Sequence, residues 1–470
     1  MSDPTLLALC AVMAVLTLYP LWRWTGGEMM TFPLVAAYTL MHIPAYLVPF
    51  LQARSDVIGY SLSVSFTSAL AVCVYLLTLQ LVARWSESAP WGSVRLNWPL
   101  LNRIVPGVAE STLMWFLLGI WWAFTTVITT GYLPNVGPNL QVVRVLCITP
   151  GQLAMFYLFF QYGGRKLSRW QEITLLGLVA SGLALDLTGG YLIGVASNVL
   201  LILLAYIMGA KRVPLGPSMG CLALLAFLHM GKAEMRGKYW DLQGGVNYST
   251  SRLNPVAVGA FWCEASWKSL LNGPSLGGDS SQSLLDRGSL AHVLTLVISE
   301  TPQKKPYLNG QTYRQVPLLF VPRALMKNKP RGNLPTDTVA LYYGLQTQES
   351  LATTSIAIGE IAEAWANFGW FGILVVGAFV GLIFSLPSHL ASGRSVQEIG
   401  FLVGVVFLSG SYNLELTIGP WMVSLVNSLL VVTVGLYMIS RPDATNRSGK
   451  NTAQVKSSPP KRSQPGIASR

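Results

Sequence analysis

The sequence predicts an all-α, polytopic integral membrane protein with about 11 transmembrane helices and one large extracytoplasmic loop carrying amphipathic helices. Three observations carry this expectation. Only 11% of the 470 residues are charged, against 52% hydrophobic, whereas a soluble domain uses roughly 25% charged residues to clothe its surface. Mean hydropathy is +0.47. Apolar runs also recur at the length a bilayer demands, about 20 residues for a core of about 30 Å. Such a chain is not mainly a soluble enzyme, a disordered chain or a nucleic-acid-binding domain, and no nucleic-acid partner is expected.

The runs lie near 4–22, 30–51, 57–83, 110–130, 143–163, 171–189, 190–209, 213–231, 367–388, 398–412 and 414–439. The first lacks the basic-then-small-residue pattern of a cleaved signal peptide and is expected to stay as a helix. The stretch 171–209 would be about 58 Å long as one helix, so it divides in two at Leu187-Thr188-Gly189-Gly190. The run 398–412 is short enough to be re-entrant. These runs organise the chain as a bundle of about eight helices over 1–231, a loop over 232–366, about three helices over 367–440, and a disordered basic tail over 441–470. Cys10, Cys73, Cys147 and Cys221 fall inside apolar runs and Cys263 in a polar stretch, with neither a disulfide framework nor zinc-ligand spacing.

Orientation follows from Lys and Arg in the short connections, which concentrate on the cytoplasmic side. With the N-terminus outside, the inner segments collect Arg23, Arg84, Arg95, Arg103, Arg165, Lys166, Arg169, Lys211, Arg212, Arg394 and the basic tail, while the short outer segments hold Arg54 and Arg144. An even number of spans would break this alternation. The long loop falls outside and carries 13 Lys plus Arg and 10 Asp plus Glu. A connection of that length points to function. No nucleotide-binding loop is present, which argues against an ATP-driven machine.

Four stretches and three isolated residues hold the chemistry. In 229–240, HMGKAEMRGKYW, the cations Lys232, Arg236 and Lys238 sit where a helix leaves the bilayer. They serve either as interfacial anchors beside Tyr239 and Trp240 or as a pocket for a phosphate at headgroup depth. In 284–300, LLDRGSLAHVLTLVISE, helical spacing puts Arg287 on a stripe with Leu290, Ala291, Leu294 and Ile298, and His292 on another with Ser289, Thr295 and Ser299. An amphipathic helix lying on the membrane would bury the first stripe. The segment 301–331 contains Lys304, Lys305, Arg314, Arg323, Lys327, Lys329 and Arg331, no acid, and five prolines that predict an irregular path. A polybasic outer segment is not explained by orientation rules, so anion binding is the stronger reading. In 359–372, GEIAEAWANFGWFG, which begins the ninth span, Glu360, Glu363 and Asn367 share one helical face. Paired carboxylates there can supply a general base for a sugar hydroxyl; a solvated face at the membrane boundary is the plain alternative. Within the spans, His42, Asp186 and Glu415 are functional candidates because charge in lipid is expensive.

The order Lys232-x-x-x-Arg236, Arg287-x-x-x-x-His292, Thr301-Pro302, Gly310-Gln311-Thr312-Tyr313, Pro322-Arg323, Lys329-Pro330, Gly359-Glu360 and Asn367-Phe368-Gly369 resembles the Wzy-type oligosaccharide repeat unit polymerases of bacteria. The resemblance covers about 230–372 and the many-span layout. Ala324-Leu325-Met326 departs from the family, which more often has an aromatic before Lys-Pro. The resemblance implies a glycosyltransferase of the inner membrane that joins repeat units carried on undecaprenyl diphosphate at its outer face. A hydroxyl of the acceptor sugar would attack the anomeric carbon of the donor, and the lipid diphosphate would leave. On that reading Arg236, Arg287, Arg323 and Lys329 hold the diphosphate, Glu360 is the first choice of base with His292 the second, and Lys232, Arg314, Lys327, Glu363 and Asn367 contact substrate. The energy is stored in the sugar–diphosphate bond, so no cofactor or metal is expected. Membrane lipid, a chain-length regulator and export machinery are the expected partners. The competing readings are an O-antigen-type ligase, a flippase or transporter of the lipid-linked glycan, and a non-catalytic export component.

Overall fold

In the computed structural model the described residues are 3–26, 32–52, 59–88, 98–106, 108, 111–129, 140–189, 192–239, 254–272, 290–321, 325–326, 328–352, 355–391, 394–410 and 413–441. They form sixteen helices: α1 Pro4–Thr25, α2 Leu34–Leu51, α3 Leu62–Ser88, α4 Thr112–Thr129, α5 Leu140–Gly163, α6 Arg169–Thr188, α7 Leu192–Ala210, α8 Leu215–Met230, α9 Lys232–Tyr239, α10 Pro255–Asn272, α11 Leu290–Glu300, α12 Gln311–Phe320, α13 Leu334–Tyr342, α14 Glu360–Ala391, α15 Ile399–Gly410 and α16 Ile418–Ile439. α2 contains one π-helical stretch, Ile43–Leu47. The fold is all-α among the described residues, and eight of these helices are long and apolar enough to cross a membrane: α1 to α4, α5 from Val143, α6, α14 and α16. α7, α8 and α15 are shorter apolar helices at the other expected runs. Their outer faces are apolar: Leu7, Val15 and Trp22 on α1, Leu81 and Trp85 on α3, and Leu430 and Met438 on α16 are exposed, as lipid-facing positions should be.

Lipid is as apolar as leucine, so close packing rather than water exclusion joins such helices, and small residues let backbones approach. The Gly377-x-x-x-Gly381 motif of α14 does this against α3: a Cβ at Gly377 would lie 3.1 Å from the Tyr75 carbonyl oxygen, and one at Gly381 3.2 Å from the Leu79 carbonyl carbon. Contacts at constant offset make α1 and α3 parallel, since Gln80 donates to the Leu16 carbonyl (2.8 Å) and Cys73 lies on that of Leu9. α5 and α7 run parallel in the same way, with Gln152 donating to Asn198 (3.0 Å) and Gly209 seated on Phe160. At one end of the bundle Ile104 bridges both Glu398 and Arg441. There Arg103 donates to Ser440 and Arg394 to Asn102, and Lys166 and Gln171 line one cavity with Gln397. Arg23 lies beside Glu87 at the matching ends of α1 and α3. Of the cations that the orientation argument groups on one side, Arg23, Arg103, Lys166 and Arg394 thus lie at one end, whereas Arg144 sits beside Asp186 at the other; Arg95 and the basic tail beyond Arg441 lie outside the described residues.

Three expectations are corrected. The stretch 359–388 is not one straight helix. Gly369 takes φ 58° and ψ −135°, and the chain reverses. A Cβ at Gly372 would stand 2.8 Å from the carbonyl carbon of Ala364, although eight residues along a straight helix span about 12 Å. α14 is therefore a tight hairpin: limb 360–368 folds back along limb 370–391, which by itself is long enough, at about 33 Å, to cross the bilayer. The second correction concerns α11. Leu290, Ala291, Val293, Leu294, Thr295, Val297 and Ile298 are all buried, so the helix is inserted among α3, α14 and the π-helical turn rather than lying on a surface with one stripe covered. The third concerns the proline-rich 301–331, where residues 311–320 are helical, since α12 runs through Pro317.

Candidate functional site

The limb 360–368 folds back into the bundle, so that Glu360 meets Tyr75 midway along α3 and Glu363 meets the start of α16. Gly359, at φ 75°, turns the chain into the helix, and the Ile358 and Gly359 amides both donate to the Glu415 carbonyl at 3.2 Å. That carbonyl belongs to the non-helical link between α15 and α16. The face of Glu360, Glu363 and Asn367 is not solvated: Glu360 is 6% exposed, and Glu363 and Asn367 are fully buried.

Glu360 Oε1 accepts a short hydrogen bond from Tyr38 OH, and Tyr75 OH stands 3.3 Å from the same oxygen and 2.7 Å from Tyr38 OH. His42, one turn beyond Tyr38, donates from Nδ1 to the Tyr38 carbonyl (3.1 Å) and packs its ring on Tyr38, Tyr46 and Tyr75. A carbonyl can only accept, so Nδ1 carries the proton, and the buried Nε2 has no hydrogen-bond partner among the described residues. Tyr46 OH lies against Gly359. Glu363 Oε2 accepts from the Ile418 amide (2.7 Å), at the start of α16, and its Oε1 has no hydrogen-bond partner among the described residues. Asn367 donates to Thr312 (2.9 Å) and to the Glu363 carbonyl (2.8 Å), and its own side-chain oxygen is also unpartnered. Among the described residues no cation pairs with either glutamate.

The segment 301–313 lies over this limb. Trp365 donates to the Thr301 carbonyl (3.2 Å), Leu308 to that of Ala366 (2.9 Å), and Tyr313 stacks on Phe368. Gly310 holds φ 81° where an added Cβ would meet the Phe368 ring at 2.9 Å. Burial, and then the nearby Glu363, push the Tyr313 phenol well above its ordinary value. It therefore keeps its proton beside the carboxylates, and its buried oxygen has no hydrogen-bond partner among the described residues.

Of the residues singled out from the sequence, Glu360, Glu363 and Asn367 come together, joined by Thr312 and Tyr313. His292 lies two residues after Leu290, which packs on Gly359, and its ring is 6.3 Å from that of Tyr60. Lys329 donates to the Leu319 carbonyl at 2.7 Å, and Arg314 is exposed on α12. Arg287, Arg323 and Lys327 lie outside the described residues, as does the side chain of Arg236, whose backbone belongs to α9. α9 packs on α8 and α10, and its Met235 belongs to a small cluster with Leu192, Leu228 and Trp262, apart from the main core. Lys232 is half-buried there and Lys238 rests 3.8 Å from the Phe261 ring. Within the polybasic segment, Lys304 and Lys305 answer Glu300 at 2.8 and 3.7 Å, so these two cations are matched by the acid immediately before the run.

Sequence reasoning missed Tyr38, Tyr46 and Tyr75. A signal existed: Tyr38-x-x-x-His42-x-x-x-Tyr46 repeats a polar aromatic every four residues within an apolar run, which makes a stripe on one helix face.

No family model, no curated protein and no solved structure matches this chain. The class that fold and site define is an all-α, membrane-spanning chain with a buried carboxylate pair within the bundle.

Proposed function

We propose that the chain is a membrane-embedded glycosyltransferase that joins undecaprenyl-diphosphate-linked oligosaccharide repeat units into a surface or extracellular polysaccharide at the outer face of a bacterial inner membrane, with eleven crossings and the N-terminus outside. The observation that carries this reading is Glu360: a carboxylate held by two tyrosine hydroxyls, with no cation on it among the described residues, beneath the segment 301–313 that bears part of the family-like motifs. A fixed, unpaired carboxylate is suited to take the proton of an acceptor hydroxyl. The oxygen of that hydroxyl attacks the anomeric carbon, the bond from carbon to the diphosphate oxygen breaks with its electron pair on the diphosphate, and the proton ends on Glu360. General-base assistance of this kind contributes about 10²- to 10⁴-fold in rate. Of the two glutamates, Glu360 keeps some exposure and Glu363 keeps none, which favours Glu360 as base and Glu363 as the residue that fixes the hairpin to α16. Lys329, with Arg236, Arg287 and Arg323, would offset the charge that develops on the leaving diphosphate.

A second reading has its own observation. The hairpin at Gly369, the π-helical turn in α2 and the non-helical link before α16 are discontinuities beside buried carboxylates, as in transporters. Lipid-linked glycans from a deletion strain complemented with Glu360→Gln separate the readings. Single repeats on lipid, outside and unpolymerised, support the polymerase. Long chains not transferred to an acceptor support a ligase, and repeats trapped inside support a flippase.

A further inference from the structure

The exposed side of α13 forms a second polar site that, Arg331 apart, lies outside the motifs above. Leu334, Asp337, Thr338 and Leu341 recur at the spacing of one helix face, and with Arg331, Gln348 and Leu351 they line a cavity of about 380 Å³. That size falls within the roughly 300–1,000 Å³ of small-molecule sites. Asp337 is 8% exposed as a residue, and its carboxylate opens into the cavity it lines. An occupant that donates hydrogen bonds can therefore reach it. Burial raises the Asp337 carboxyl above its ordinary value, with Arg331 opposing. Arg331 contributes donors and also reaches the Leu351 carbonyl. Thr338 is fixed by Gln315 (3.1 Å) and by the Leu334 carbonyl (2.8 Å).

The lining selects a chemical class. Arg331 disfavours a bare cation, and Asp337 disfavours a bare phosphate or carboxylate. Asp, Arg, Thr and Gln together offer both donors and acceptors, while Leu334, Leu341 and Leu351 offer an apolar floor. A saccharide has both aspects, hydroxyls around its rim and C–H groups on its face. The opposite side of α13 touches the α16 start: Thr336 bonds Thr417 at 2.9 Å, and Pro335 lies 3.1 Å from where a Gly419 Cβ would stand. Between them, Ile418 donates its amide to Glu363. The cavity and the carboxylate pair therefore flank one helix.

We propose that this cavity is a saccharide-binding subsite in which Asp337 accepts hydroxyl hydrogen bonds from the glycan and Arg331 donates to it. The assignment rests on the glycosyl-transfer reading and extends it to where the glycan is held away from the reacting bond.

The test uses the full chain in phosphatidylglycerol–phosphatidylethanolamine nanodiscs. The probe is the fluorescently labelled oligosaccharide freed by mild acid from the host's lipid extract. Asp337→Asn should weaken its binding at least tenfold, and Leu341→Trp, which fills the cavity from a partly exposed position, should abolish it, with helical circular dichroism unchanged in both. Wild-type binding in either variant, no binding by the wild-type chain, or displacement of the probe by millimolar inorganic phosphate overturns the subsite. The two proposals fail separately. If Asp337→Asn loses the probe while Glu360→Gln still polymerises, the subsite stands and the assigned base falls. If Glu360→Gln stops polymerisation while Asp337→Asn binds normally, only the subsite falls.

Discussion

Gly372→Ala should act on the carboxylates from a distance. A methyl at position 372 would sit 2.8 Å from the Ala364 carbonyl carbon, with the oxygen nearer still, and 3.3 Å from the Phe368 Cβ. The first two neighbours are backbone atoms, which cannot swing aside as a flexible side chain would, so the limbs of the hairpin must part by about 1 Å or more to restore contact distance. Overpacking of this kind costs about 1–3 kcal/mol. The displacement grows along the limb. The 364–372 contact lies a few residues from the turn at Gly369, while Glu360 lies about 13 Å from it along the helix. Rigid opening about the turn would move Glu360 by about twice the local gap, roughly 2 Å, and a hydrogen bond does not survive that stretch. The Tyr38–Glu360 and Ile418–Glu363 bonds should both break. The assays are the thermal midpoint of the purified chain, followed by tryptophan fluorescence, and the polysaccharide chain-length ladder of a complemented deletion strain. A lowered midpoint together with single repeats is expected. An unchanged midpoint and ladder would refute the hairpin and the positioning argument together.

Tyr38→Phe removes the nearer donor to Glu360 and leaves only Tyr75. It should lower stability by about 1–3 kcal/mol and shorten the ladder, read by the same two assays; a wild-type ladder would deny Tyr38 any part in holding the base. Asp337→Asn should raise the thermal midpoint at neutral pH. The folded carboxyl binds its proton more tightly than the unfolded one, so the ionised form carries a cost above its folded value. That advantage of Asn should disappear as pH falls toward 3.8, the ordinary aspartate value, and midpoints measured across that range check the sign. Glu300→Gln works in the opposite direction. Its carboxyl is held below the ordinary range first by the hydrogen bond from Lys304, so the wild-type pair stabilises at neutral pH and the gain is lost as pH falls through the folded value. Because the Lys304 side chain is 68% exposed, the loss in the variant should be no more than about 0.5 kcal/mol and should shrink in salt; an effect several times larger would mean the pair is less solvated than it looks.

Composition by itself determined that this chain lives in lipid, because 11% charge cannot cover a water-facing surface. Apolar run length determined nearly every long helix, and Lys and Arg placement determined which helix ends would meet. Helical spacing was enough to put Glu360, Glu363 and Asn367 on one face. What lay against that face could be decided only by packing. Tyr38 and Glu360 are 322 residues apart, and no local signal links them. The reversal at Gly369 depends on a positive φ that glycine permits but does not demand, and Gly377 and Gly381 in the same helix stay helical. The choice is made where Ala364 seats on Gly372 and where 301–313 closes over the limb. α11 shows the same limit: its amphipathic spacing is compatible with a membrane surface, and only the space left between α3 and α14 draws it inside.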